Sequence, residues 1–182
     1  MNSLTLSLAS LAPFNSTSSC KNLTDVDGKL FFTANKLYGG DTELWNTDGT
    51  EANIKLIKVI GLGYSPEPKG LINFDGLLFF TAITNESGRK LWKSDGTEDG
   101  TIQVADINVG TGSSFGDASF CILNNTLFFS ATDDESGFEL WNTDGTEVGT
   151  EMVKDINSGI GGSFPSQLAV INDLIYFQAF DL

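Results

Sequence analysis

The chain has 182 residues and a formal net charge of −14, from 24 acidic and 10 basic side chains. This charge disfavours binding to nucleic acid or to an anionic membrane surface, since both are bound chiefly through Lys and Arg. The sequence contains no histidine, which excludes Ser-His-Asp and Cys-His catalysis and every His-bound metal site. It has one arginine, Arg89, and no apolar run near the ~20 residues of a membrane-spanning helix.

The N-terminal stretch, residues 1–11, does not have the pattern of a signal peptide. It lacks a basic residue, and its apolar side chains alternate with Ser and Thr instead of forming a continuous apolar core. A shift of about 145 residues, which is about three repeats of the length described below, aligns it with the apolar stretch 150–156. We therefore predict one β-strand here, not a leader peptide.

A repeat of nearly constant length covers the rest of the chain. Leu-Phe-Phe occurs at 30–32, and similar apolar triplets follow at 78–80, 127–129 and 175–177, at intervals of 48, 49 and 48 residues. Between them lies Glu-Leu-Trp-Asn-Thr-Asp-Gly-Thr at 43–50, with further copies at 90–97 and 139–146. Each repeat predicts four short strands, which we call a, b, c and d: a ends at an Asn- or Asp-containing turn, b is rich in Phe, c carries the Trp, and d precedes a Gly- and Ser-rich loop.

The third copy shows the predicted strands most clearly, at 119–123, 126–131, 138–143 and 151–156; the d strands of the first two copies are predicted at 54–60 and 101–107. No window has apolar residues at helical spacing. Four antiparallel strands in about 48 residues are typical of one blade of a β-propeller. The sequence thus predicts an all-β fold, a β-propeller of about four four-stranded antiparallel blades, the last one incomplete or closed by the N-terminal strand.

The chain is predicted to be a single repeat domain. Its parts are an N-terminal outer strand in 1–18, three full repeats at 19–66, 67–116 and 117–165, and a partial fourth repeat at 166–182. The two ends together supply strands a, b and d, but no strand c. Three arrangements stay open: a ring that closes with one three-stranded blade, a piece of a longer protein, or partial rings of separate chains that complete one another.

The Glu-Leu-Trp-x-x-Asp-Gly-Thr motif resembles the repeat of the ELWxxDGT-repeat proteins, which are mostly bacterial. The likeness covers nearly the whole sequence, with two departures: Lys90 replaces Glu in the second copy, and Asn53-Ile54 replaces the Gly-Thr of the other copies. The resemblance implies a four-stranded propeller repeat, no assigned enzymatic activity, and a location at the cell surface or outside the cell.

Two sets of repeated residues are predicted to be structural. Asp48, Asp95 and Asp144 could be calcium or sugar ligands, but we interpret them as Asx-type turns between strands c and d, on the side of the blade away from the usual ligand mouth. The Trp residues of strand c and the adjacent Phe pairs of strand b are interpreted as core, since neighbouring residues of a strand point to opposite faces. Both faces of strand b are therefore predicted to be buried.

The predicted binding residues lie in the b–c loops, where the polar groups are least regular. They are Asp41, Asn85, Glu86, Arg89, Asp133, Asp134 and Glu135. The consecutive acidic residues 133–135 are candidates for calcium, a cation that takes 6–8 oxygen ligands, but they lack the spacing and glycine of an EF-hand loop. Solvated surface charge is the alternative interpretation. No catalytic residue and no other cofactor is predicted.

These features predict a non-enzymatic binding or assembly module that presents its b–c and d–a loops to a protein or a glycan. A second hypothesis is a structural subunit that self-associates through incomplete terminal blades. A third is a calcium-assisted lectin. A hydrolase with paired carboxylates has little support, because a chain with 24 acidic residues always offers some pair.

Overall fold

The computed structural model describes residues 19–35, 40–61, 65–84 and 86–181. These residues form fourteen β-strands in four antiparallel sheets, with no α-helix among them and one short 3₁₀ helix, Glu51–Asn53. The predicted all-β class is confirmed. The strand predicted within residues 1–18 lies outside the described residues.

Each of the first three sheets contains one complete repeat, and the fourth contains the partial one. The first sheet consists of β1 (Lys21–Val26), β2 (Lys29–Asn35), β3 (Thr42–Thr47) and β4 (Lys55–Leu56). The second consists of β5 (Lys69–Phe74), β6 (Leu77–Thr84), β7 (Gly88–Ser94) and β8 (Ile102–Ala105). The third consists of β9 (Phe120–Leu123), β10 (Thr126–Thr132), β11 (Phe138–Thr143) and β12 (Glu151–Lys154), and the fourth of β13 (Ser166–Ile171) and β14 (Leu174–Gln178).

Strands follow one another across each sheet in chain order, so that every four-stranded sheet is an antiparallel meander from a to d. The predicted order of strands within a repeat is therefore confirmed. The d strands are shorter than predicted. The most marked case is β4, which has two residues where the sequence predicts a strand over 54–60.

Tight turns join strand a to strand b in all four sheets. The two central residues of each turn have φ between 47° and 80°; they are Asp27-Gly28, Asp75-Gly76, Asn124-Asn125 and Asn172-Asp173. Positive φ at both central positions defines the type I′ turn, which matches the twist of the strands it joins and favours Asn, Asp and Gly. These pairs of Asn, Asp and Gly residues therefore set the register of each hairpin.

The Phe-rich b strands lie at the centre of the core. Phe31 packs with Phe80 between the first and second sheets, and Phe79 packs with Phe129 between the second and third. The predicted burial of both faces is confirmed in the first two sheets, where these pairs are at most 1% exposed. In the third sheet Phe128 is only half-buried. The neighbour on that side is the fourth sheet, which has only two described strands to cover the ring.

Successive sheets adjoin along their first strands. β1 contacts β5, β5 contacts β9, and β9 contacts β13. At the first junction the Thr24 hydroxyl donates to the carbonyl of Leu71 at 3.4 Å, and the Asn73 amide donates to the carbonyl of Asp25 at 3.3 Å. The repeat of the sequence is therefore also a repeat in space, one sheet after another.

Candidate functional site

The b–c loop and the d–a loop of one repeat pack against each other at one end of the sheets, which we call the loop face. The Ser114 amide donates to the carbonyl of Arg89 at 2.9 Å, and the Ser163 amide donates to the carbonyl of Phe138 at 2.8 Å. Gly137 has a φ of 67°, and a Cβ atom there would lie 2.5 Å from the backbone nitrogen of Gly162. A glycine is therefore required where the two loops meet.

The strand register shows which residues of the loop face are equivalent between repeats. One residue of strand b lies opposite the Leu of the Glu-Leu-Trp motif: Thr33 opposite Leu44, Thr81 opposite Leu91, and Ser130 opposite Leu140. The residue of strand c just before the Glu-Leu-Trp motif, or its Lys-Leu-Trp copy, is equivalent in the same ladders: Thr42 opposite Asn35, Arg89 opposite Ile83, and Phe138 opposite Thr132. In each repeat, the hydroxyl residue of strand b and the variable residue of strand c together line a niche between two sheets.

The last niche lies between the third and fourth sheets and is open. It has a volume of about 330 Å³ and is lined by Gly116, Asp117, Ser130, Phe138, Phe164, Pro165 and Ser166. The rings of Phe138 and Phe164 stack with their centroids 5.7 Å apart and their planes at 27°. Phe164 is 51% exposed, so that this niche presents an aromatic surface beside a carboxylate and two hydroxyls.

The first niche lies between the first and second sheets and is also open. It has a volume of about 300 Å³, and its lining is Lys21, Asn22, Thr33, Thr42, Glu67, Pro68 and Lys69. The Asn22 amide donates to the Thr33 hydroxyl at 3.1 Å, and the ammonium of Lys69 lies 3.8 Å from the Glu67 carboxylate. Several polar groups of this niche are therefore already hydrogen-bonded or ion-paired to one another.

The middle niche lies between the second and third sheets and is filled by Arg89, which is 5% exposed. Its Nη1 donates to the Glu67 carbonyl at 2.9 Å and to the Thr81 hydroxyl at 3.2 Å, and its Nη2 lies 3.4 Å from Glu67 Oε2. Burial lowers the pKa of the guanidinium below its ordinary value, while the charges of Glu67 and Asp117 act in the opposite direction.

The structure corrects the predicted position of Arg89. The sequence predicts this residue in a b–c loop among the binding groups, but it lies inside β7 and its side chain is buried. Strand c of the second repeat begins at Gly88, two residues earlier than the Lys90 copy of the motif. Because alternate residues of a strand share a face, Arg89 lies on the same face as Leu91. The alternation of strand c could therefore have predicted that Arg89 lies on the buried face.

The other predicted binding residues lie in three separate b–c loops, except Asn85, which is outside the described residues. Asp41 and Glu86 are exposed, each in the loop of its own sheet. In the third loop the Asp133 carboxylate accepts the backbone N–H groups of Glu135 at 3.0 Å and Ser136 at 2.9 Å. The neighbouring Asp134 and Glu135 are exposed.

A buried carboxylate from the Glu-Leu-Trp motif holds the d–a loop of the third repeat. Glu139 is 0% exposed. Its Oε1 accepts the backbone N–H of Asn157 at 3.2 Å and of Ser163 at 2.9 Å, and its Oε2 accepts the backbone N–H of Ile156 at 3.1 Å. The Ser163 hydroxyl also donates to Oε2 at 2.5 Å. Glu139 therefore fixes the loop that carries Phe164.

Lys90 takes the place of this Glu in the second repeat, with the opposite charge. It is 0% exposed, and its ammonium pairs with the Asp106 carboxylate at 2.5 Å and donates to the carbonyl of Asn108. Lys90 thus holds its d–a loop by donating to acceptor groups of that loop. Glu139 holds the d–a loop of its own repeat by accepting from donor groups of that loop. The departure from the motif keeps the structural role and reverses the polarity.

The repeated Asp-Gly-Thr turns lie between strands c and d, at the opposite end of the sheets. Asp144 Oδ1 accepts both the backbone N–H and the hydroxyl of Thr146, at 2.8 and 2.7 Å, and the first two repeats have the same bonds. These bonds lower the pKa of Asp48, Asp95 and Asp144. The prediction of Asx-type turns is confirmed.

Two aromatic residues of the last niche, Phe138 and Phe164, were not predicted as site residues. For Phe138 a signal was present in the sequence. The residue just before Glu-Leu-Trp changes from Thr42 to Phe138 between the first and third repeats, whereas the Glu-Leu-Trp that follows it recurs. A variable residue beside a constant motif indicates a position that the fold does not determine, and such a position is free to serve binding.

Comparisons with protein-family models, with curated proteins and with solved structures find no match to this chain. The likeness to the ELWxxDGT-repeat proteins stays a prediction. No helix in the described part of the chain is long and apolar enough to cross a bilayer. Within the same ranges, no three His, Cys, Asp or Glu side chains are grouped so that they could hold a metal ion.

Proposed function

We propose that the four sheets are blades of a β-propeller of about four blades. The contacts between successive first strands support this, because the innermost strands of a propeller surround a common axis. We further propose that a strand from residues 1–18 belongs to the fourth blade. A crystal structure that shows the sheets stacked in a line, without a common axis, would contradict this arrangement.

The function that the loop face supports best is that of a non-enzymatic binding module for a protein or glycan partner. The observation that carries the proposal is the contrast between equivalent niches. The middle one is filled by the chain's own Arg89, whereas the first and last are open clefts of about 300 and 330 Å³. Clefts of this size with a few polar groups are the usual form of a ligand site.

A catalytic role has less support. A general acid of the glycosidase kind needs a carboxyl group with a raised pKa. Asp48, Asp95 and Asp144 have lowered pKa values and lie away from the loop face. The buried Glu139 accepts four hydrogen bonds from the protein itself, so its oxygens are already occupied.

Arrays of peptides and of glycans test the binding proposal. We expect specific binding to one array that is weakened by Phe164→Leu at the loop face and unchanged by Val148→Ser, a fully exposed position beside the Asp-Gly-Thr turn. Binding that depends on Val148 and not on Phe164, or the absence of binding on both arrays, would contradict the proposal. Glycan binding that EDTA abolishes would instead favour the calcium-assisted lectin.

A second candidate function is self-association through the fourth sheet. Within the described residues β14 pairs only with β13, whereas its equivalents β2, β6 and β10 are paired on both edges. The hairpin also exposes apolar side chains, with 40% to 58% of their surface accessible; they are Val170, Ile171, Leu174 and Tyr176. An open strand edge with apolar flanks favours pairing with another chain.

Sedimentation velocity tests this second candidate. Self-association through β14 predicts a species larger than the 19.5 kDa monomer that becomes monomeric when Tyr176→Lys places a charge on the strand, since edge lysines oppose strand pairing. A monodisperse monomer at all concentrations would rule it out. The matched control is Val153→Lys on β12, an exposed position on a strand that ends a complete sheet.

A further inference from the structure

We propose that the last niche binds the guanidinium group of an arginine side chain presented by a basic protein partner. This inference rests on the proposed binding function and names the chemistry of its ligand. It follows from comparing three niches that the repeat makes equivalent, one of which already holds a guanidinium from the chain itself.

Arg89 in the middle niche shows what the architecture accepts. Its guanidinium bonds to the Thr81 hydroxyl and to the backbone carbonyl of Glu67, which lies in the loop just before strand a of the second repeat. In the last niche Ser130 supplies a hydroxyl at the register position of Thr81, and Gly116 lines the niche from the loop that enters strand a. The last niche thus repeats the hydroxyl position and the strand-entry position of the middle one, but no arginine lines it.

The residue that replaces Arg89 in the third repeat is Phe138, which together with Phe164 forms the aromatic wall. A guanidinium is planar and weakly hydrated, and it stacks on aromatic rings more readily than an ammonium does. Phe164 has a φ of 49°, which is unfavourable for a residue with a bulky side chain. The amides of Ser163 and Phe164 both donate to the Phe138 carbonyl, at 2.8 and 2.9 Å, and hold the ring in this place.

Charge selects a cation for this niche. Asp117 lines it; burial lowers the pKa of Arg89 in the neighbouring niche, and the charge of the Asp117 carboxylate opposes that lowering. No Lys or Arg is among the described residues that line the last niche, whereas Lys21 and Lys69 line the first. The net charge of −14 attracts a basic partner over a longer range.

A titration of short peptides followed by NMR tests the proposal. The peptides are acetyl-Gly-Gly-Arg-Gly-Gly amide and two analogues in which citrulline or lysine replaces the arginine. Citrulline has nearly the shape of arginine without its charge. We expect the arginine peptide to shift the resonances of residues around the last niche, with citrulline about tenfold weaker because a charge-assisted hydrogen bond is lost. Lysine should be weaker than arginine, since it lacks the planar fork.

Variants separate the niche from the general charge of the protein. Asp117→Asn is expected to weaken the arginine peptide about tenfold. The matched control Asp173→Asn removes the same charge from an exposed type I′ turn and should leave affinity unchanged. Phe164→Leu keeps an apolar side chain but loses the ring, and should weaken binding about two- to fivefold. The thermal unfolding of each variant shows whether it is folded.

The outcomes are distinct. Equal binding of the arginine and citrulline peptides, equal effects of Asp117→Asn and Asp173→Asn, or no binding of the arginine peptide would each overturn the inference. If a glycan binds instead and Phe164→Leu weakens it, the loop face is still a binding face and only the arginine inference fails. If neither peptide nor glycan binds, both proposals fail.

Discussion

At the residue scale, one buried carboxylate makes more hydrogen bonds that fix the loop face than any exposed carboxylate does. Glu139 is fully buried and accepts hydrogen bonds from three backbone N–H groups and one hydroxyl of the loop that carries Phe164. A buried charge is tolerated only when its hydrogen bonds are made. The loop therefore depends on this side chain, and the side chain depends on the loop.

We predict that Glu139→Ala lowers the free energy of unfolding by about 3 kcal/mol or more, because it leaves buried donors without an acceptor. Glu139→Gln should cost less, since its amide retains one acceptor oxygen. Urea unfolding measures both. The control Glu147→Ala changes an exposed residue and should stay within about 0.5 kcal/mol of the wild type. Equal effects of the two alanine variants would show that Glu139 does not hold the loop.

The three turn aspartates predict a dependence of stability on acid. Hydrogen bonds from Thr50, Thr97 and Thr146 lower the pKa of the three carboxyls in the folded state. A lowered pKa means that the folded protein binds fewer protons than the unfolded one, so their contribution is complete above the ordinary carboxyl pKa of about 4. It is lost as pH falls below that value.

The measurement is thermal unfolding from pH 6 to pH 2 of the wild type and of a variant in which Asn replaces Asp48, Asp95 and Asp144. Asn keeps an acceptor oxygen but does not titrate. We expect the stability of the variant to decline less steeply between pH 4 and pH 2. Parallel curves would show that these carboxyls do not link folding to pH.

How far the sequence could predict these residues depends on whether they repeat. Asp144 recurs in all three copies with its Gly and Thr, and its turn was predicted. Arg89 does not recur, and its place in the strand was missed because the motif suggested a start at position 90. The ring of Phe164 faces a niche between two sheets, and such packing cannot be derived from the pattern of a single strand.

At the scale of the element, the turns carry the most sequence information. Positive φ at both central residues costs little for Asn, Asp or Gly and about 1–2 kcal/mol for other residues. The strand bounds were less predictable. Thr101 and Thr150 each donate a hydroxyl hydrogen bond at 2.6 Å to a carbonyl of the preceding turn, but Ile54 at the equivalent position has no hydroxyl. The turn there is a 3₁₀ helix instead, and β4 is short.

A substitution in the third hairpin tests the role of the turns. Asn125 has a φ of 56° and is exposed, so Asn125→Ala should destabilise the protein by about 1 kcal/mol through backbone strain alone. Asn125→Gly removes the strain and should be neutral or stabilising. Chemical denaturation compares the two. If Ala and Gly are equally tolerated, the backbone of this turn does not have the left-handed geometry that we describe.

At the scale of the whole molecule, the repeat places different groups at the two ends of the sheets. At one end the type I′ turns recur with the same backbone geometry, and the Asp-Gly-Thr turns recur with the same hydrogen bonds. The loop face at the other end differs from one niche to the next, through Thr42, Arg89 and Phe138. Periodicity in the sequence predicted the sheets. The differences at the loop face could be interpreted only with the strand register, which shows that these residues occupy equivalent positions.

The central claim is that the last niche is a receptor for a guanidinium, like the one that the chain itself supplies in the middle niche. Arg89→Ala empties that niche. The most direct measurement is the thermal unfolding of this variant and of the wild type with increasing ethylguanidinium, with ethylammonium as the control. We predict that ethylguanidinium, at ten times its dissociation constant, raises the Tm of the variant by about 3–5 °C more than that of the wild type, and that ethylammonium does not. Equal shifts in the two proteins, or equal effects of the two cations, would contradict the account.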